Sequence, residues 1–242
     1  MMMFIHSASG QIVNIEKKRI STDTVGWFGS ANVNFSGSKT TKSILALSTG
    51  TLLEYKNKTN KDLWLLITEL SLISADKEKF SNSGFGHLRY NRKLGDAVRW
   101  EFFTQIQYNS LTKIDRRALG GTGLRFKLTQ YEHARFYLGI AYMYEYEELL
   151  EPKVIKRDHR NSSYFSFSLL PEETVSFVST LYVQPLLKDP SDYRLSNETS
   201  LSLGITKKLS LNATFKFSFD SFPPDGVPKS TYYFMNGLEV EF

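Results

Sequence analysis

Four histidines, His6, His87, His133 and His159, are the side chains best suited to proton transfer in this chain, and no cysteine accompanies them. Without cysteine, thiol catalysis, cysteine zinc sites and disulfide scaffolds are excluded. Hydrolysis by a serine needs a base and an acid fixed beside it. Neither G-x-S-x-G nor H-E-x-x-H occurs. His6 lies in the opening residues and His133 follows a turn. His87 stands mid-strand between Gly86 and Leu88, and His159 stands beside Asp158 and Arg160 in what reads as the longest loop. An acid next to a histidine can hold a metal, but that pair is more often merely solvated. The expectation is no catalytic site, no metal and no cofactor. Gly120-Gly121-x-Gly123 has only a superficial likeness to a phosphate loop. It sits inside a strand pattern, where glycine lets large neighbours pack closely.

The charged residues carry a more specific pattern. Arg99, Glu101, Arg125, Glu145, Glu198 and Lys216 all fall mid-strand on polar faces. They form a candidate lumen charge cluster, with Arg116-Arg117 close by in sequence. A ring of such charges can select solutes at a constriction. It can equally brace and fill the interior through ion pairs, and both readings stay open. The net charge of +5 comes from lysines and arginines scattered along the chain. Nucleic-acid binding predicts a clustered footprint instead, so no nucleic-acid partner is expected. Scattered basic loops suit an anionic membrane surface.

The elements that must carry these residues repeat with a period of two. Leu209, Leu211, Ala213, Phe215, Phe217 and Phe219 alternate with Ser210, Asn212, Thr214, Lys216, Ser218 and Asp220. Val98, Trp100, Phe102, Thr104, Ile106 and Tyr108 do the same, with Phe103 an exception on the polar face. Alternation of this kind marks half-buried strands. About a dozen are read, near 24–37, 42–55, 62–74, 80–92, 96–109, 114–128, 133–147, 160–170, 173–185, 192–206, 208–220 and 230–242. Leu63-Trp64-Leu65-Leu66-Ile67 is apolar on both faces and could instead be a short buried helix. No stretch approaches the roughly 18 uncharged apolar residues of a spanning helix, but a membrane barrel needs none.

Tight connections at 94–96, 170–172 and 206–208 alternate with longer ones at 75–79, 148–159, 186–191 and 221–229. This is the turn-and-loop asymmetry of an outer-membrane barrel, although 57–61 is longer than its place in the order predicts. The predicted fold is therefore all-β: a closed antiparallel up-and-down transmembrane barrel of about 12 strands. Ala8-Ser9-Gly10 has the small-x-small form of a signal-peptidase site. Residues 1–10 are read as a signal-peptide remnant, 11–23 as a short N-terminal periplasmic segment and 24–242 as the barrel. Phe234, Leu238, Val240 and Phe242 share one face of the last strand, which ends in Phe. That is the form of a signal for the barrel assembly machinery, which captures a free strand edge.

Several segments together resemble the domain of unknown function 481 family, the YdiY-like or salt-induced outer-membrane proteins. They are Trp27-Phe28-Gly29-Ser30, Phe35-Ser36-Gly37-Ser38, the run Arg99 to Tyr108, the run Arg116 to Phe126, Tyr144-Glu145-Tyr146-Glu147, Tyr182-Val183-Gln184-Pro185, Asp192-Tyr193-Arg194 and Pro223-Pro224-Asp225-Gly226-Val227. The resemblance runs from about Gly26 to Phe242, with Gly37-Ser38-Lys39-Thr40-Thr41 replacing the Gly-Asn-Thr type of turn. It implies an outer-membrane barrel in contact with lipid and lipopolysaccharide, and brings no established reaction. The expected role is structural or that of a narrow pore. Two rivals remain: a barrel enzyme acting on lipid or peptide at the lumen rim, and a soluble ligand-binding barrel with its apolar face inside.

Overall fold

The computed structural model describes residues 25–39, 43–75, 78–131, 133–172, 174–206 and 209–240. Twelve strands follow one another: β1 (Gly26–Lys39), β2 (Ser43–Lys56), β3 (Asp62–Ala75), β4 (Glu78–Lys93), β5 (Val98–Asn109), β6 (Ile114–Tyr131), β7 (Ala134–Leu149), β8 (Ile155–Glu172), β9 (Val175–Pro185), β10 (Tyr193–Thr206), β11 (Leu209–Asp220) and β12 (Ser230–Val240). Each strand pairs with its neighbours in sequence, giving one 12-stranded antiparallel meander. Among the described residues β1 pairs with β2 and β12 with β11, and no β1–β12 ladder closes the sheet. The sheet curls nonetheless. Tyr164 on β8 reaches Glu101 on β5, and Arg194 on β10 reaches Glu145 on β7.

The period of two decides which way side chains point. Along β5, Glu101, Phe103, Gln105, Gln107 and Asn109 are buried, while Trp100, Phe102, Thr104, Ile106 and Tyr108 are exposed. The same sense holds on β7, where Glu145 is 2% exposed and Ile140 is 47% exposed. The outward Trp and Tyr rings gather toward two levels, with exposed phenylalanines such as Phe165, Phe215 and Phe234 between them. Trp27 stacks with Tyr55 at 4.7 Å, Trp64 with Tyr90 at 4.6 Å, and Tyr90 meets Trp100 edge-on at 5.7 Å. These rings lie at the end that carries the β2–β3 and β4–β5 connections. Tyr108, Tyr142, Tyr144, Tyr193 and Tyr232 lie toward the other end. Trp100 and Tyr108 mark both levels on β5, roughly 27 Å of strand apart.

One open alternative is closed here and two expectations are corrected. Leu63–Ile67 is strand, not helix: it lies within β3, with Leu65 and Ile67 buried and Trp64 and Leu66 exposed. Both faces are apolar because the interior is not uniformly polar. Leu52, Leu65, Ile67 and Phe85 form one buried apolar cluster, and Phe103, Leu119, Ala141 and Met143 form another. The stretch 148–159 is not one long loop, because β7 continues to Leu149 and β8 starts at Ile155. A ladder running from Tyr144↔His159 to Glu148↔Ile155 extends both strands past the alternation visible in sequence. Likewise β3 and β4 reach Ala75 and Glu78, so that connection is short. Residues 1–24 lie outside the described set, and with them the expected leader and periplasmic segment. Phe242 does too.

Candidate functional site: a charged layer across the interior

The inward positions of β6, β7, β8, β10 and β11 converge toward the end with the longer connections. Arg194 donates from Nη1 to both carboxylate oxygens of Glu145, at 2.7 and 2.9 Å, and from Nε to Asp220 at 2.9 Å. Its Nη2 lies 3.3 Å from Glu147. Arg117 binds the same Glu147 from β6, through Nε at 2.7 Å and through Nη2. Arg160 bonds Asp192 at 2.9 Å and lies 3.8 Å from Asp158, which Lys188 approaches to 3.4 Å. Arg160 is 1% exposed and Glu147 is 1% exposed. Three guanidiniums and several carboxylates thus neutralise one another in a space without bulk water. Mutual pairing is the only arrangement that offsets the desolvation of so many charges.

Farther along the interior a second group joins β4, β5, β6, β7 and β8. Glu101 accepts from Tyr164 Oη at 2.7 Å and from Arg89 at 3.3 Å. The Arg125 guanidinium stacks over the Tyr137 ring at 3.8 Å and points an Nη1 at Tyr164 Oη, 3.5 Å away. His87 lies between Phe85 and Phe103, bonded to Gln105 at 3.1 Å and approached by Arg89 Nε at 3.4 Å. Glycines make the room for these large groups. A Cβ on Gly139 would fall inside the Tyr164 ring, and one on Gly121 would collide with Phe103.

The six charges singled out in sequence therefore separate into three places. Glu101 and Arg125 meet through Tyr164, with Arg99 half-buried opposite Arg125 in the β5–β6 register. Glu145 belongs to the arginine layer. Glu198 and Lys216 form their own pair at 3.4 Å on β10 and β11, with Glu69 of β3 in electrostatic reach. Sequence reasoning did not single out Arg89, Arg160, Arg194, Glu147, Asp192 and Asp220. Their inward parity was visible for several, but not which strands would face one another. Of Arg116-Arg117, only Arg117 points inward; Arg116 is exposed, beside a register shift.

The histidines lie apart from one another. His159 is not in a loop but on the outer face of β8, where its Nδ1 meets Tyr142 Oη at 2.5 Å and its ring packs on Tyr144 at 5.1 Å. Asp158 and Arg160, its neighbours in sequence, point the other way into the interior. Among the described residues no group of three or more acidic or histidine side chains is placed to hold a metal ion. On β12, Phe234 and Leu238 are exposed on the outer face.

The antiparallel twelve-strand meander, curled around ion pairs and presenting aromatics outward, has a counterpart among solved structures. The structure titled "NanC porin structure in rhombohedral crystal form" shares it at TM-score 0.51 and 13% identity, over 88% of this chain and 99% of that one. A bacterial polysaccharide outer membrane secretin aligns at TM-score 0.49 and 9% identity, over 90% of this chain and 86% of that one. No curated protein matches the sequence. Residues 30–242 match the family described as "Protein of unknown function, DUF481", and the chain belongs to that family.

Proposed function

We propose that this chain is a barrel of the bacterial outer membrane, closed by β1 against β12, with a structural or narrow-pore role in the envelope. One observation carries the reading: the burial pattern is inverted relative to a water-soluble protein. Arg160, Glu145 and Glu147 are buried while Phe35, Val33, Ile106 and Leu70 are more than half exposed. Apolar patches on that scale need lipid or a partner to cover them. Two levels of Trp and Tyr separated by a band of Leu, Ile, Val and Phe match the girdles of a transmembrane barrel. The longer connections then face outward, and the ends of β1 and β12 that adjoin the termini face the periplasm.

The charged layer favours bracing over free diffusion, since an open aqueous channel would wet those side chains. A soluble ligand-binding barrel fits poorly, because its aliphatic face would be inside. An enzyme fits poorly as well: His159 is bonded to a tyrosine on the outer face, and His87 is bonded to Gln105 and Arg89. Lipopolysaccharide and the barrel assembly machinery are the partners this reading implies. Fractionation tests it first. The mature chain should sediment with outer membrane and migrate as a compact, heat-modifiable band; recovery in the soluble periplasm overturns the reading. Planar bilayers then separate the two roles, small infrequent steps indicating a narrow pore and silence a structural barrel.

A further inference from the structure

The connection between β11 and β12, residues 221–229, touches the opposite side of the meander. Lys113, in the turn between β5 and β6, donates from Nζ to the carbonyl oxygen of Asp225 at 2.7 Å. Those two connections lie half the meander apart, so the segment crosses the interior. Beneath it is a cavity of about 50 Å³ walled by Thr112, Ile114 and Arg117 from one side and Ser218, Asp220 and Tyr233 from the other. Pro223, Pro224, Val227 and Pro228 form its roof. Three prolines fix φ along the segment. Gly226, at φ +80°, permits the bend that brings Asp225 to Lys113.

The two ends of the segment are pinned to each other and to the start of β10. Asp220 N–H donates to Lys229 O at 2.8 Å, and Ser221 N–H donates to Tyr193 O at 3.1 Å. The far side is held by the exposed lysine bond. Lys113 has a left-handed backbone, φ 56°, a conformation that a non-glycine residue adopts at some cost. Among the described residues, this stiff segment with firm ends is held across the gap by the one exposed bond from Lys113.

We propose that residues 221–229 are a hinged strap over the charged layer, latched by Lys113 and opening to admit solvent to the mouth. The inference rests on the membrane reading above, and it goes further by naming the moving part. Ser218 lies under the strap and is buried, and the chain has no cysteine of its own. Ser218→Cys can therefore be labelled with a membrane-impermeant maleimide on intact cells. Lys113→Ala should raise the labelling rate about tenfold, the loss of one charge-assisted bond. Replacing 222–228 by a Gly-Ser linker should raise it at least as much. Equal rates in all three backgrounds overturn the strap. Lys188→Cys, on an exposed side chain of the β9–β10 connection, reports orientation separately. If Lys188→Cys labels rapidly and the Ser218→Cys rates are equal, only the strap fails. If Lys188→Cys is not labelled on intact cells, the outward placement of this end fails, and the strap with it.

Discussion

Gly139 and Tyr164 show how a single side chain sets the shape of the interior. The Tyr164 ring occupies the place of a Cβ on Gly139, and from there its hydroxyl reaches Glu101. Gly139→Ala should cost about 1–3 kcal/mol through overpacking. Pairing it with Tyr164→Phe should not restore stability, whereas pairing it with Tyr164→Ala should recover part of the loss; urea unfolding in detergent micelles checks this. A second residue-scale prediction concerns Asp189 in the β9–β10 connection. The hydroxyl and backbone N–H of Ser191 both donate to its carboxylate and hold its pKa below the ordinary aspartate value. The turn's contribution is therefore present above about pH 3.9 and lost as pH falls through the lower folded value. In a side-chain carboxyl titration by NMR, Ser191→Ala should move the Asp189 midpoint back up.

At the scale of elements, the arginine layer ties non-neighbouring strands together. Arg194 on β10 is shared by Glu145 and Glu147 on β7 and by Asp220 on β11. Arg194→Ala leaves buried carboxylates without their counter-charge and should destabilise by about 3–5 kcal/mol, read as a lower urea midpoint. Lys216→Ala should cost much less, because the Glu198–Lys216 pair keeps partial solvent exposure. Equal effects of the two substitutions would remove the argument that the layer braces the sheet.

For the whole molecule, the question is how β1 and β12 meet. The outer edges of β1 and β12 both carry strand hydrogen-bonding groups that hydrocarbon cannot satisfy. In the membrane the two edges should pair antiparallel, as the even strand number requires. Cysteines placed singly at Asn32 or Asn34 on β1 and at Met235 on β12, all of inward parity, should yield a disulfide for one combination in native membranes. The crosslinked chain should keep its heat-modifiable mobility. If neither combination crosslinks, that register of closure fails.

The amino-acid sequence by itself determined the alternation, and with it the strand count, the antiparallel order and the shared face of Trp100, Ile106 and Tyr108. A period of two is local information, readable residue by residue. It also put Glu101, Arg125 and Glu145 on the polar faces. Only the tertiary structure decided that these three do not form one cluster, that Arg160 and Arg194 complete a layer with Glu145, and that His159 turns outward while Asp158 turns inward. It also decided that β7 and β8 run on past the visible pattern. Those facts depend on how tightly the sheet curls and on which distant strands it brings face to face. Curvature comes from the summed twist of many strands and from glycine gaps such as Gly139, so no single stretch of chain encodes it.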